Sequence, residues 1–217
     1  MNELLYSFLL LALAHGLAVV LPGPDFVVVL GESLQKGRAA GRSTALGIGV
    51  GILTHCGLFL LGVSLLLEPF PRVYDLLRTV AALYLAALAI KTFWPRSQAR
   101  LEPRPPEPPS KELARPVPRL AQDSFQRGFW TNLLNPKVAL FFLALFTVII
   151  DLKESSPWWQ GLVSLYLAGA TTAWFALVAQ LATLDRFERF LTQRRSLLEK
   201  ITGGVLLLVA MQLCFQR

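Results

Sequence analysis

The sequence predicts an all-α membrane protein. The expected architecture is six transmembrane helices arranged as two inverted three-helix repeats, with the first and fourth helices broken at proline motifs. Three observations lead there. The chain is 54% hydrophobic and 16% charged, whereas soluble domains carry about 25% charged residues. Its apolar residues come in long blocks: 2–21 has no charge after Glu3, 43–67 has none, and 139–150 and 158–184 are equally bare. Such blocks suit a hydrocarbon solvent and lack the polar outer face of a soluble helix. Finally, two of the blocks interrupt themselves with proline, at LPGPDF (21–26) and NLLNPK (132–137).

Six spans follow in order: about Leu4 to Leu34, Ala39 to Leu67, Val73 to Trp94, Phe125 to Ile150, Trp158 to Ala182 and Leu197 to Phe215. The N-terminal block ends in an Ala12-Leu13-Ala14 that resembles a cleavage site, but Met-Asn-Glu lacks the cationic start of a signal peptide. We therefore expect it to be a span. Orientation follows from the basic residues. The first, third and fifth loops hold sixteen of the twenty-one Lys and Arg, and the second and fourth only Arg72, Arg78 and Lys153. The odd loops should face the cytoplasm and both termini the other side. The net charge of +7 has its source in these loops, so no nucleic-acid partner is expected.

Residues 95–118 contain eight of the fourteen prolines and read as a polar, semi-extended linker without a core. The expected units are a first transmembrane repeat (1–94), a cytoplasmic linker (95–124) and a second repeat (125–217). Three spans is an odd number, so the second repeat enters the membrane from the opposite side, as inverted repeats require. The fifth loop mixes Leu184, Phe187, Phe190 and Leu191 with cations. It suits a helix lying on the inner leaflet and an ordinary charged loop equally well.

The breaks carry the chemistry. Proline removes a donor and clashes with the carbonyl four residues back, so Pro22 frees the carbonyl of Ala18 and Pro24 that of Val20. Gly23 lets the backbone turn. Pro24 suits the first position of a new helical piece, which puts Asp25 in its positive first turn. In the fourth span Pro136 frees the carbonyl of Asn132, with Asn132 and Asn135 as local donors and Lys137 following. At 1.5 Å per residue, Asp25 lies roughly 14 Å and Lys137 roughly 15 Å from the cytoplasmic end, near the midplane of a core about 30 Å thick. Unsatisfied backbone groups at that depth must face protein or a wet cavity, and an intramembrane charge marks a functional site.

Plainer roles compete with these. Asp25 could simply cap a helix, and Lys137 could extend to the cytoplasm along its stem. His55 suits packing better than proton carriage. Gly37, Gly41, Gly47, Gly51, Gly57 and Gly62 recur at small-residue spacing, which reads mainly as helix packing.

The segments PGPDFVVVLGESLQKGRAAGRSTALGIGVGILTH (22–55) and FQRGFWTNLLNPKVALFF (125–142) carry a resemblance. The chain resembles the lysine exporter and threonine/homoserine exporter (LysE/RhtB) family of bacterial inner-membrane transporters, over its whole length. The resemblance implies a multi-pass inner-membrane protein that exports amino acids or similar metabolites, driven by protons, with no cofactor and no enzymatic activity. Its linker looks longer than the family's usual loop. On this reading Pro22, Gly23, Pro24, Asp25, Asn132, Asn135, Pro136 and Lys137 would bind substrate, and Asp25 or His55 would carry the proton. Alternating access would come from rocking one half against the other. Homo-oligomerisation stays open.

Other classes are disfavoured by the residues present. A divalent-metal exporter needs clustered His, Cys or carboxylate, but the two histidines, His15 and His55, are forty residues apart. A zinc hydrolase wants paired His on one helix face. A thiol carrier wants two accessible cysteines, whereas Cys56 and Cys214 both fall in apolar segments. A membrane scaffold using the proline-rich linker as a docking peptide is the remaining alternative.

Overall fold

The computed structural model describes residues 2–20, 23–62, 70–93, 117–148, 156–182 and 184, together with 197, 200, 203, 204, 207 and 211. Among the described residues the chain is helical and contains no strand. Seven helices follow in order: α1 (Asn2–Val20), α2 (Pro24–Lys36), α3 (Arg38–Gly62), α4 (Pro71–Phe93), α5 (Val117–Leu133), α6 (Pro136–Val148) and α7 (Pro157–Leu181). Pro22, the linker up to residue 116, residues 185–196 of the fifth loop and Cys214 lie outside the described residues. So does most of the expected sixth span, of which Leu197, Lys200, Gly203, Gly204, Leu207 and Met211 are helical.

Both expected breaks are present. Gly23 is extended and caps α2, with Pro24 at its first turn, and the axes of Phe8–Val20 and Pro24–Lys36 differ by 53°. In the fourth expected span, α5 stops at Leu133 and α6 starts at Pro136. The helix starts earlier than expected, at Val117 rather than about Phe125. Its first turns are amphipathic: Ser124 and Gly128 are buried while Arg119, Gln122 and Gln126 are exposed. A search for apolar blocks passes over such a helix.

Two helices, α3 and α7, are long and apolar enough to cross a membrane, and the bent α1–α2 pair makes a third if counted as one span. Their outward faces carry exposed Leu46, Leu53, Leu61, Leu165 and Leu177, a surface that suits acyl chains rather than water. Trp158, 76% exposed at the start of α7, fits the interfacial position favoured by tryptophan.

The core has two parts. One joins α1, α3, α4, α6 and α7 around Leu11, Ile52, Phe142, Phe146 and Leu167. The other seats α2 between α3 and α7 through Phe26, Val29, Ile48, Phe175 and Val178. The tightest seam is between α3 and α5. A Cβ at Gly47 would run into the backbone carbonyl of Phe125, and one at Gly128 into that of Thr44. The helices therefore meet backbone to backbone, as small residues permit in lipid. Gly41 and Gly51 also sit in close contacts, with Ser33 and Asn132, and so does Gly49 with Thr172. Gly37, Gly57 and Gly62 have nothing within 4 Å among the described residues, so within the series close packing is found at Gly41, Gly47 and Gly51. Gly37 takes φ 89° between α2 and α3, a conformation that disfavours any residue with a Cβ.

Gly47→Ala and Gly128→Ala should each destabilise the detergent-solubilised protein by about 1–3 kcal/mol, the usual cost of overpacking. Gly57→Ala should leave the thermal midpoint unchanged in the same unfolding experiment.

Candidate functional site

The two breaks meet across the chain. The Asn132 side-chain amide donates to Asp25 Oδ2 at 2.7 Å, between residues 107 positions apart. Both residues are buried, Asn132 completely. Gly51 provides the room: a Cβ there would lie 2.6 Å from Asn132 Oδ1. The carbonyl of Asn132, freed by Pro136, is re-satisfied from two sides. The Asn135 N–H donates to it at 3.0 Å, and His55 Nε2 lies 3.4 Å away. The ring of His55 stacks on Phe142, with centroids 5.9 Å apart.

Asn135 then begins the second piece. Its side-chain oxygen accepts the Lys137 N–H at 3.0 Å, and its carbonyl accepts the Val138 and Ala139 N–H groups. This is a capped helix start with proline in the first turn. Lys137 is partly buried and interacts electrostatically with Asp25. Two helix N-termini, of α2 and α6, thus converge with one carboxylate and one ammonium between them.

A cavity of about 60 Å³ opens at this junction, room for several waters. One wall is Gly23, Pro24, Asp25, Asn135 and Lys137, and the rest is largely apolar, with Ile52, Phe141, Phe142 and Phe175. Of the expected site residues, those five line the cavity. Asn132 holds Asp25 through its side-chain amide, His55 lies against the Asn132 carbonyl, Pro136 shapes the turn, and Pro22 lies outside the described residues. Asp25 Oδ1 and Asn132 Oδ1 are buried without a hydrogen-bond partner among the described residues. Such orphans are rare and fit a place where water or substrate completes the shell.

Sequence reasoning missed a second polar pair on the cavity. His15 on α1 and Thr171 on α7 both line it, and His15 Nε2 lies 3.0 Å from Thr171 Oγ1. The other ring nitrogen, Nδ1, is buried and unpartnered among the described residues. The available signal was a histidine in an otherwise apolar span; its partner, 156 residues away, left no local trace.

Comparison with known proteins follows the same lines. The family model for the LysE type translocator matches residues 17–217. The chain belongs to the LysE-type translocator family. This translocator is 30% identical to the threonine efflux protein of Escherichia coli K12 over 186 residues, 86% of each chain. It is 28% identical to the uncharacterized membrane protein YahN of the same strain, covering 90% of this chain and 83% of YahN. It is 25% identical to the uncharacterized membrane protein YrhP of Bacillus subtilis, covering 87% and 89%. No solved structure matches the chain. The family and the long apolar helices make this translocator a multi-pass membrane protein.

In this translocator Gly51→Ala should push the Asn132 amide off Asp25. A double-mutant cycle of Gly51→Ala with Asn132→Ala should be non-additive by about 0.5–3 kcal/mol, as for residues in contact. Thermal unfolding of the four proteins measures it.

Proposed function

We propose that this chain is a secondary active exporter of amino acids or related small zwitterionic metabolites, of the threonine, homoserine or lysine type, coupled to protons. The observation that carries the reading is the meeting of two helix breaks at one cavity that holds both a carboxylate and an ammonium. A zwitterion needs both complements. The first-turn N–H groups of α2, around Asp25 and Phe26, and Lys137 suit its carboxylate, since helix N-termini attract anions. Asp25 and the carbonyl that Pro24 leaves free at Val20 suit its ammonium. Asn135 orients the substrate, and Asn132 positions Asp25 from behind. Asp25 carries the coupling proton, with His55 as the alternative through its place beside the same amide.

The efflux of threonine named for the Escherichia coli relative supports the direction and the substrate class. Among the described residues no three His, Cys, Asp or Glu side chains gather where they could hold a metal ion, which gives no support to metal export. The repeated plan of the two breaks supports the six-span inverted repeat. In each, a helix stops, proline opens the next piece and a charged residue follows. We place the chain in the bacterial inner membrane with both termini periplasmic and the proline-rich linker in the cytoplasm.

Asp25→Asn and Lys137→Ala should each lower amino-acid efflux from loaded vesicles at least about tenfold, equivalent to about 1.4 kcal/mol of lost substrate interaction, while membrane expression stays intact. Wild-type efflux from both variants would end the proposal.

A further inference from the structure

A second buried carboxylate sits on α2, and the cavity does not use it. Glu32 is 3% exposed. It lies seven residues beyond Asp25, on the same helix face and about 10 Å further along the axis. Both its oxygens are engaged. Oε2 accepts from the Ser124 hydroxyl at 2.6 Å and pairs with Lys36 Nζ at 3.3 Å. Oε1 accepts from Arg127 NH1 at 3.2 Å. Lys36 is on the last turn of α2 and its side chain is nearly buried, while Arg127 on α5 is about half exposed. The cluster therefore ties α2 to α5 at the edge of the structure next to the basic loop that begins at Lys36.

The α3–α5 seam is backbone against backbone and leaves no room for sliding, so a rocking of whole halves along it is disfavoured. Helix α2 runs between a 53° bend towards α1 and Gly37 with φ 89°, and it packs on α3 and α7 through the side chains of Phe26 and Val29. Ser33 also touches α3, at Gly41. An ionic closure also suits a part that must open repeatedly. Pairing buried charges roughly offsets their desolvation. When the crevice opens, water hydrates Glu32, Lys36 and Arg127 and replaces the lost contacts. An apolar seal would instead lose about 25 cal/mol for each Å² exposed.

We propose that Glu32, with Ser124, Lys36 and Arg127, forms the cytoplasmic gate of the transport path. The helix that presents Asp25 to the substrate then also closes the access beneath it, so occupancy of the cavity and opening of the gate act on one rigid body. The gate rests on the export reading and on the basic side being cytoplasmic.

The test uses the full-length protein in inside-out vesicles, with Cys56→Ser and Cys214→Ser as background and Val138→Cys as a reporter on the cavity wall. A membrane-impermeant methanethiosulfonate is added from the cytoplasmic side. Glu32→Gln should raise the labelling rate of the reporter about tenfold, equivalent to about 1.4 kcal/mol taken from the closed state. In parallel, Glu32→Cys with Ser124→Cys is bridged by a reducible thiol crosslinker. Export should fall to about a tenth, again about 1.4 kcal/mol, and return on reduction. Unchanged labelling, or undiminished export after complete crosslinking, overturns the gate while leaving the export reading intact. A wild-type protein that moves no amino acid in the same vesicles overturns both.

Discussion

The hydrogen bond from Asn132 to Asp25 is the constraint on which the site depends. A helix broken inside a bilayer exposes polar backbone that lipid cannot satisfy, and a carboxylate beside the break adds a further cost. Two such breaks placed against each other meet both demands. The amide of one faces the carboxylate of the other, the freed carbonyl of Asn132 takes partners from Asn135 and His55, and Asn135 caps the helix that follows. Among the described residues, the oxygens of this pair left unsatisfied, one on Asp25 and one on Asn132, lie at the junction beside the cavity. The polar groups are therefore collected in one place while the outward faces of α3 and α7 remain apolar.

This arrangement depends on how closely the helices approach. Asn132 reaches its position because Gly51 has no side chain there, and α3 reaches α5 because Gly47 and Gly128 lie against opposing carbonyls. The glycines and the site are thus parts of one design, in which the packing seam sets the register between the two breaks. Asp25 then belongs to a helix seated on α3 and α7 through Phe26 and Val29, and its amide partner to one held backbone to backbone on α3.

The parts of this that were legible in the sequence are those with local chemistry. Proline cannot continue a helix, so both breaks could be placed within a residue or two. Asp25 and Lys137 stood out because they are charges in apolar blocks. The start of α5 was not legible, since its first turns are amphipathic and resemble linker. Nor was the contact that Asn132 makes: nothing local to its sequence pairs its side-chain amide with Asp25. His15 with Thr171 and Glu32 with Ser124 escaped for a common reason. Their partners lie 156 and 92 residues away, and Glu32 four residues before Lys36 reads as an ordinary helix-end pair. Spacing along the glycine-rich helix identified contacts at Gly41, Gly47 and Gly51. It did not identify Gly49, which breaks the spacing, and it extended the pattern to Gly57 and Gly62, which touch nothing within 4 Å among the described residues.

The distance in sequence between Asp25 and Asn132 also bears on biogenesis. Ribosomes add about 5–20 residues per second, so the carboxylate is made about 5–20 s before the amide that will hold it. During that interval the newly inserted N-terminal helices carry an acid whose eventual ligand has not been synthesised. Until Asn132 is made, the Asp25 carboxylate has no protein amide to accept from at this position, and burying it before then would leave it short of a partner.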